Sequence, residues 1–327
     1  MEYTKLGNSD LRVSRISLGA VHFGWTVEKS DVKKILFAAL DEGINMIDTA
    51  HIYGDGLSEE YIGSVCQSVR NRLVVATKGG HAHTGGPTRK NLTNEIETSL
   101  RRLQTDHIDL YQVHFGIGQD VAIEEIIETL TEMRYGGKVR YFGLSNFYAW
   151  QLCRINDLCV QMGYTAPVSI QSHYSILERD IEAELIPYCE NSGLALLPFF
   201  PLAGGLLAGR YRRGEEPSPD TRAGQLDWAG KFLSYYGTEQ NFDLIDTLDL
   251  FAGKRNHSLA ELAIAWLLTR PAVGSVIVGA SKPGHVRANS KACDWRLSGE
   301  ELEEIGSILG DRDKTLRYPR RLWWEQV

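Results

Sequence analysis

No apolar stretch of this 327-residue chain approaches the length of a membrane span. The opening MEYTKLGNSDLRVSR also lacks the apolar centre of a secretory signal, which predicts a cytoplasmic protein with no membrane partner. Cysteine is scarce: Cys66, Cys153, Cys159, Cys189 and Cys293 are odd in number and never spaced as CxxC, so reduced, mostly buried thiols are expected and a metal site is not. An excess of positive charge is missing too. The net charge of −7 argues against a general nucleic-acid binder, while leaving room for a local basic pocket. No composition shift marks a linker, no segment is low in complexity, and no solenoid-like repeat stands out.

Alternation is what the chain does have. Short β-branched or aliphatic runs stand at Ile16–Leu18, Ile44–Ile47, Leu73–Thr77, Ile108–Val113, Val139–Leu144, Val168–Gln171, Leu194–Leu197 and Ser275–Val278. Segments of helical period separate nearly all of them. Ser30-Asp31 opens VKKILFAAL, which Gly43 stops; Ser58 and Glu59 open the next helix; Asp120 opens AIEEIIETLTEM, which Gly136-Gly137 closes. Eight βα units make either one closed barrel or a large open sheet. Short strands at fairly even intervals favour a single α/β domain over residues 1–327, a (β/α)8 TIM barrel whose site lies where strands run into the following loops. Tyr3–Leu6 and Arg12–Ser14 flank Gly7-Asn8-Ser9-Asp10, predicting an N-terminal hairpin within residues 1–15 that caps the barrel bottom. The interval Gly209–Phe242, rich in Gly, Pro and charge, is expected to be a mobile loop over the top, where a C-terminal tail, residues 311–327, also runs.

Residues just past the strands are polar at the same end of the fold. The second run leads into Asp48-Thr49-Ala50-His51-Ile52-Tyr53, the third into Thr77-Lys78, the fourth into His114, the fifth into Ser145-Asn146 and the sixth into Gln171. Singly, a lysine there snorkels, an aspartate caps and a histidine packs. Five successive positions at one end converge on one pocket. A phenol with an ordinary pKa near ~10 is a poor proton donor at neutral pH, a nearby ammonium lowers that value, and a carboxylate fixes the ammonium. Asp48, Lys78 and Tyr53 can form that relay, with His114 donating to a substrate oxygen: machinery for reducing C=O that lacks only a hydride source.

The strings IDTAHIYGDGLSEEYIG, VVATKGG, DLYQVHF, VRYFGLSNF, PLAGGLLAGRY and SVIVGASKPGHVRAN, with the N-terminal TKLGNSDLRVSRISLG, resemble the aldo-keto reductase superfamily. They look most like the bacterial branch that includes the inositol-operon reductase. The resemblance implies a barrel that binds NADPH/NADP+ without a Rossmann fold and acts on a small-molecule carbonyl or alcohol. It implies a catalytic tetrad of Asp48, Tyr53, Lys78 and His114, with Tyr53 the general acid. Gly19 and Ala20 close the first strand; Ser145, Asn146 and Gln171 match the holders of the nicotinamide carboxamide; Phe199 stands where the ring is stacked. Phe200, Pro201, Leu202, Gly204, Gly205, Leu206 and Arg210 match the pyrophosphate strap. Gly279, Ser281, Lys282, His285 and Asn289 match the segment that takes the adenosine 2′-phosphate and adenine.

Departures from the pattern are Ala20 for Thr, Phe200 for Ser, and Lys282, His285 and Ala288 where the superfamily often has Arg, Gln and Glu. A lysine is a point charge rather than a bidentate fork, so NADH use beside NADPH is an expectation as well. Gly116-Ile117-Gly118 follows His114 in place of Pro-Asp; it is no dinucleotide fingerprint, since Val121 stands where GxGxxG needs a small final residue. Two other readings compete. His81-Ala82-His83, with His22, His51 and His114, suggests a metal-dependent barrel hydrolase, but lies in a loop beyond Lys78. A non-catalytic NADP-binding regulatory subunit is the second. For the substrate pocket the rim offers His22, Trp25, His51, His83 and Phe115, and the tail adds Trp323 and Trp324; the hydrogen-bonding rim favours a sugar-like or other hydroxylated carbonyl compound.

Overall fold

The backbone first makes a small antiparallel hairpin, β1 (Tyr3–Lys5) with β2 (Arg12–Ser14), in which Tyr3 faces Ser14. This is a computed structural model, and it describes residues 1–114, 121–219 and 221–310. Among those residues, eight parallel strands follow: β3 (Ile16–Gly19), β4 (Met46–Asp48), β5 (Val74–Gly79), β6 (Ile108–Val113), β7 (Val139–Ser145), β8 (Ser169–His173), β9 (Ala195–Phe199) and β10 (Val276–Gly279). Each pairs with the next, and β10 returns to pair with β3 through Val276–Ile16 to Gly279–Gly19. The remaining seam, between β9 and β10, is joined through backbone hydrogen bonds at its lower end: Leu196 N–H donates to Ala272 O at 2.8 Å and Gly274 N–H to Leu196 O at 2.9 Å.

Helices cover the outside. They are α1 (Lys29–Asp41), α2 (Leu57–Cys66), α3 (Arg89–Leu103), α4 (Ile123–Tyr135), α5 (Ala149–Met162) and α6 (Leu185–Ser192), then α7 (Arg222–Gln225), α8 (Asp227–Tyr236), α9 (Glu239–Gly253), α10 (Leu259–Leu268), α11 (Pro283–Ser290) and α12 (Gly299–Leu309). α3 shows why: the Thr88 hydroxyl accepts from Asn91 N–H at its start, and Leu92, Ile96, Leu100 and Leu103 form one buried stripe. α10 and α12 start with capping boxes, Ser258 with Glu261 and Ser298 with Glu301.

The apolar interior has two shells. The larger lies between strands and helices; the smaller fills the barrel itself with Met46, Val74, Ala76, Leu110, Leu197 and Ile277, closed below by Leu6, Leu11 and Val13 of the hairpin. Side chains alternate along a strand, so positions two residues further on share the same wall. Met46 is followed by Asp48, Ala76 by Lys78, and Leu110 by Gln112 and His114. The barrel interior is therefore apolar at the bottom and polar at the top.

The interval Gly209–Phe242, expected to be loop, instead contains α7 and α8. Ala229, Phe232 and Tyr236 bury one face of α8, and Gly204 makes this close: a Cβ there would lie 2.7 Å from the Phe232 ring. Tyr236 OH donates to the Glu178 carboxylate at 2.5 Å, tying α8 to the segment after β8. Asp120, Gly116 to Gly118, Phe115, Trp323, Trp324 and the rest of the tail lie outside the described residues.

Candidate active site

At the polar end of the barrel, Lys78 is fully buried on β5. Its Nζ donates to Asp48 Oδ2 at 2.5 Å, to Thr49 O at 2.8 Å and to Tyr53 OH at 3.4 Å, and lies 4.9 Å from the centre of the Tyr53 ring. Tyr53 reaches it from a single turn, Tyr53–Gly56, in which Gly54, Asp55 and Gly56 all have positive φ. The turn needs its glycines: a Cβ on Gly56 would fall 2.2 Å from Arg102 Cζ. The His114 ring stands 5.9 Å from Tyr53, edge to face. The four residues of the expected tetrad are thus brought together.

Burial and the neighbouring charges act on each of these groups. Burial pulls the Lys78 ammonium down, but Asp48 and Tyr53 outweigh it and the net shift is upward, so the lysine stays charged. Burial pushes the Tyr53 phenol up; Lys78 pulls it down and Asp48 pushes it up again. The net direction is upward: Lys78 lowers the phenol as expected, and desolvation outweighs it. Tyr53 holds its proton. His114 goes well below the usual imidazole range because it is buried and faces Lys78 and His81, so it is neutral and donates from one nitrogen only.

Gln112 was not singled out by sequence, yet it completes the site. Its Nε2 donates to Asp48 Oδ1 at 3.1 Å, beside Gln171 Nε2 at 2.8 Å. The period-two alternation from Leu110 to His114 was the available signal. Also missed was a buried cluster linking α2 and α3: Thr77 Oγ1 donates to Glu59 Oε1 at 2.6 Å, and Arg102 NH1 donates to Glu59 Oε2 at 3.3 Å and to His51 O at 3.0 Å. His51 also touches that cluster, its Nδ1 3.2 Å from Arg102 NH1. Burial and then Arg102 push His51 down to about 4.

Trp25 does reach the site, its ring 6.3 Å from Tyr53, and His22 Nδ1 meets Thr26 Oγ1 in the same loop. His81 lies 5.1 Å from His114 and stacks obliquely on His83 at 4.8 Å; burial, then His83, push it down to about 4. Among the described residues, no group of three or more His, Cys, Asp and Glu side chains converges as metal ligands.

The residues that the resemblance matches to the cofactor stand within β8 (Gln171) and at or beyond the C-terminal ends of β3, β7, β9 and β10. Ala20 N–H donates to Asp48 O at the end of β3, next to Gly19. Asn146 has φ 63°, its Nδ2 donates to Ser145 Oγ at 3.2 Å, and no donor among the described residues meets its buried Oδ1. That oxygen fits an amide N–H of a ligand. Phe199 stacks at 5.5 Å on His173, leaving the nearby Phe200 (φ 52°) to pack against Trp228 and Phe232 of α8. Pro201 and Leu206 are buried supports, Leu202 leads into the Ala203–Ala208 turn, and Gly205 has φ 120°. From that turn Arg210 NH2 reaches His285 Nε2 at 3.0 Å, and His285 Nδ1 lies 3.2 Å from Ser281 Oγ. Burial, Arg210 and Lys282 hold His285 below its ordinary range. Lys282 occupies the N-cap position of α11 without a side-chain capping bond, and Asn289 Nδ2 points back to Gly279 O at 3.5 Å. Cations and a helix N-terminus here suit a phosphate.

Residues 15–309 match the model of the aldo/keto reductase family. Aldo-keto reductase YhdN of Bacillus subtilis is 33% identical, over 94% of this chain and 94% of its own length. The uncharacterized oxidoreductase YrpG of the same organism is 33% identical over 94% and 96%. A probable voltage-gated potassium channel subunit beta from rice (Oryza sativa subsp. japonica) is 32% identical over 96% and 98%. The narrower likeness to the inositol-operon branch rests on the sequence strings alone.

Proposed function

Because this chain belongs to the aldo/keto reductase family and is an oxidoreductase acting on carbonyl compounds, we propose that it is an NADPH-dependent reductase in which Tyr53 is the proton donor. The observation that carries this reading is the buried chain Asp48–Lys78–Tyr53 opening beside neutral His114. A bound reduced nicotinamide supplies the hydride equivalent. Asn146 and Gln171 would hold its carboxamide and Phe199 its ring; the Leu202–Arg210 turn would hold the pyrophosphate, and Ser281, Lys282 and Asn289 the adenosine 2′-phosphate end.

The chain's own residues do the rest. His114 donates a hydrogen bond to the carbonyl oxygen and orients it between Trp25 and His81. Tyr53 donates its proton to that oxygen as negative charge gathers there, and the Lys78 ammonium stabilises the phenolate left behind. Asp48 keeps the ammonium in place. In the alcohol-oxidising direction the Tyr53 phenolate is the base. Imidazoles and an exposed indole at the mouth favour a hydroxylated or sugar-like carbonyl compound.

The test is a titration with NADPH and, separately, NADH, following the seven tryptophans. Saturable binding, tighter for NADPH, supports the reading; absence of binding by either overturns it. Tyr53→Phe then decides between a reductase and a non-catalytic NADP-binding subunit. Loss of aldehyde reduction by about 100-fold or more, with NADPH binding retained, is expected.

A further inference from the structure

Gln112 is the penultimate residue of β6, fully buried among groups that need partners. A buried primary amide without partners is costly, so its hydrogen bonds define its role. They form a triangle. Gln112 Nε2 donates to Asp48 Oδ1 at 3.1 Å, Gln171 Nε2 donates to the same oxygen at 2.8 Å, and Gln171 Nε2 also donates to Gln112 Oε1 at 3.1 Å. The two bonds to Asp48 lie on Oδ1, the carboxylate oxygen opposite the one bound by Lys78.

The polarity of the triangle is fixed. An ionised carboxylate only accepts, so both amides turn their nitrogens to Asp48. The Gln112 oxygen is then directed at Gln171 and engages the second N–H of that nitrogen. With both N–H groups committed, the atom Gln171 offers elsewhere is Oε1, an acceptor. A ligand amide meeting Gln171 must therefore present its NH2, not its carbonyl.

We infer that Gln112 is a positioning residue: it locks Gln171 with Oε1 outward to receive the NH2 of a nicotinamide carboxamide, and joins that seat to Asp48 and so to Lys78 and Tyr53. The inference rests on the cofactor reading proposed above. Without Gln112, one Gln171 N–H has no partner and the side chain loses the restraint that sets its orientation. Asp48 loses one of three side-chain donors, and its negative charge is felt more strongly at Tyr53. The charged or titratable groups facing Tyr53 are Asp48 of β4, Lys78 of β5 and His114 beyond β6, and Gln112 touches the first.

The experiment measures NADPH affinity by tryptophan quenching in wild type, Gln112→Met, Gln171→Met and the double variant, with Gln112→Glu as a fifth protein. Methionine matches the volume of glutamine without its hydrogen bonds. Gln112→Met is expected to weaken NADPH about 5- to 10-fold, the loss of one neutral hydrogen bond. In the Gln171→Met background the same change is expected to alter affinity less than about 2-fold, because its effect passes through Gln171. Gln112→Glu can share one proton with Asp48 and rebuild the triangle, so it should bind more tightly than Gln112→Met; a space-filling role predicts the reverse order. In Gln112→Met the pH above which aldehyde reduction declines should also move upward, since Asp48 opposes ionisation of Tyr53. Additive effects of the two Met changes, wild-type affinity in Gln112→Met, or a Glu variant no better than Met would overturn the inference while wild-type binding stands. If wild type binds no NADPH, the functional reading falls and takes this inference with it; should Gln112→Met fail to fold, Gln112→Leu, which also lacks the hydrogen bonds, replaces it in each comparison.

Discussion

Lys78→Met isolates the ion pair at the base of the site. The substitution keeps a long unbranched side chain and removes the three hydrogen bonds of Nζ. Asp48, 3% exposed, keeps the Gln112 and Gln171 amides but loses its counter-charge. Stranding one member of a buried pair costs about 3–5 kcal/mol, and the two remaining amide donors place this case near the lower end. Adding Asp48→Asn removes the stranded charge, so the double variant should be more stable than Lys78→Met alone by about 1–2 kcal/mol. Urea midpoints of wild type, both single variants and the double variant, read by tryptophan fluorescence without ligand, measure this. A double variant as unstable as the sum of the singles would refute a direct Asp48–Lys78 pair, and with it the proposed route by which Asp48 tunes Tyr53.

Four further outcomes are expected. His51, His81 and His114 are held neutral when folded, the first two down to about 4 against an ordinary 6.5. The unfolded chain therefore binds more protons over that window and stability falls as pH drops through it; urea midpoints that are equal at pH 7 and pH 5 would contradict this. Gly205→Ala forces a side chain to φ 120° and toward Tyr211, and should weaken NADPH and NADH alike, by about 10-fold in a fluorescence titration. Lys282→Ala should weaken NADPH by about 10-fold and leave NADH nearly unchanged; equal losses would remove Lys282 from 2′-phosphate recognition. Phe232→Ala empties the contact between α8 and Gly204 and should cost about 3 kcal/mol or more, with faster proteolytic cleavage within 209–242.

The barrel was legible because its interior strands are short apolar runs at even spacing, and because polar residues recur where those runs stop: Asp48, Lys78, His114, Asn146. Gln112 escaped notice because it stands inside a run rather than at its end, where strand register rather than composition reveals its direction. The contact of His51 with Arg102, fifty-one positions away, is one that its place beside Tyr53 in the chain does not reveal. α8 was hidden by Gly230 and by the Gly- and Pro-rich chain before it, although Ala229, Phe232 and Tyr236 carry the helical period. The upward direction of the Tyr53 phenol depends on how deeply Lys78 and its neighbours are buried, which no local pattern encodes.

The incomplete seam between β9 and β10 has a mechanical meaning. A cylinder whose staves are hydrogen-bonded all the way round resists opening equally everywhere, whereas this one is fastened by backbone hydrogen bonds at its base beside Leu196. The two staves that border the gap lead directly into Phe199–Arg210 on one side and Gly279–Asn289 on the other. Any molecule long enough to touch both segments acts as a clasp across the slit, and Arg210 reaching His285 is already a thin version of one. Occupancy of these two segments is then recorded far from the reacting atoms, as slower amide exchange along β9 and β10.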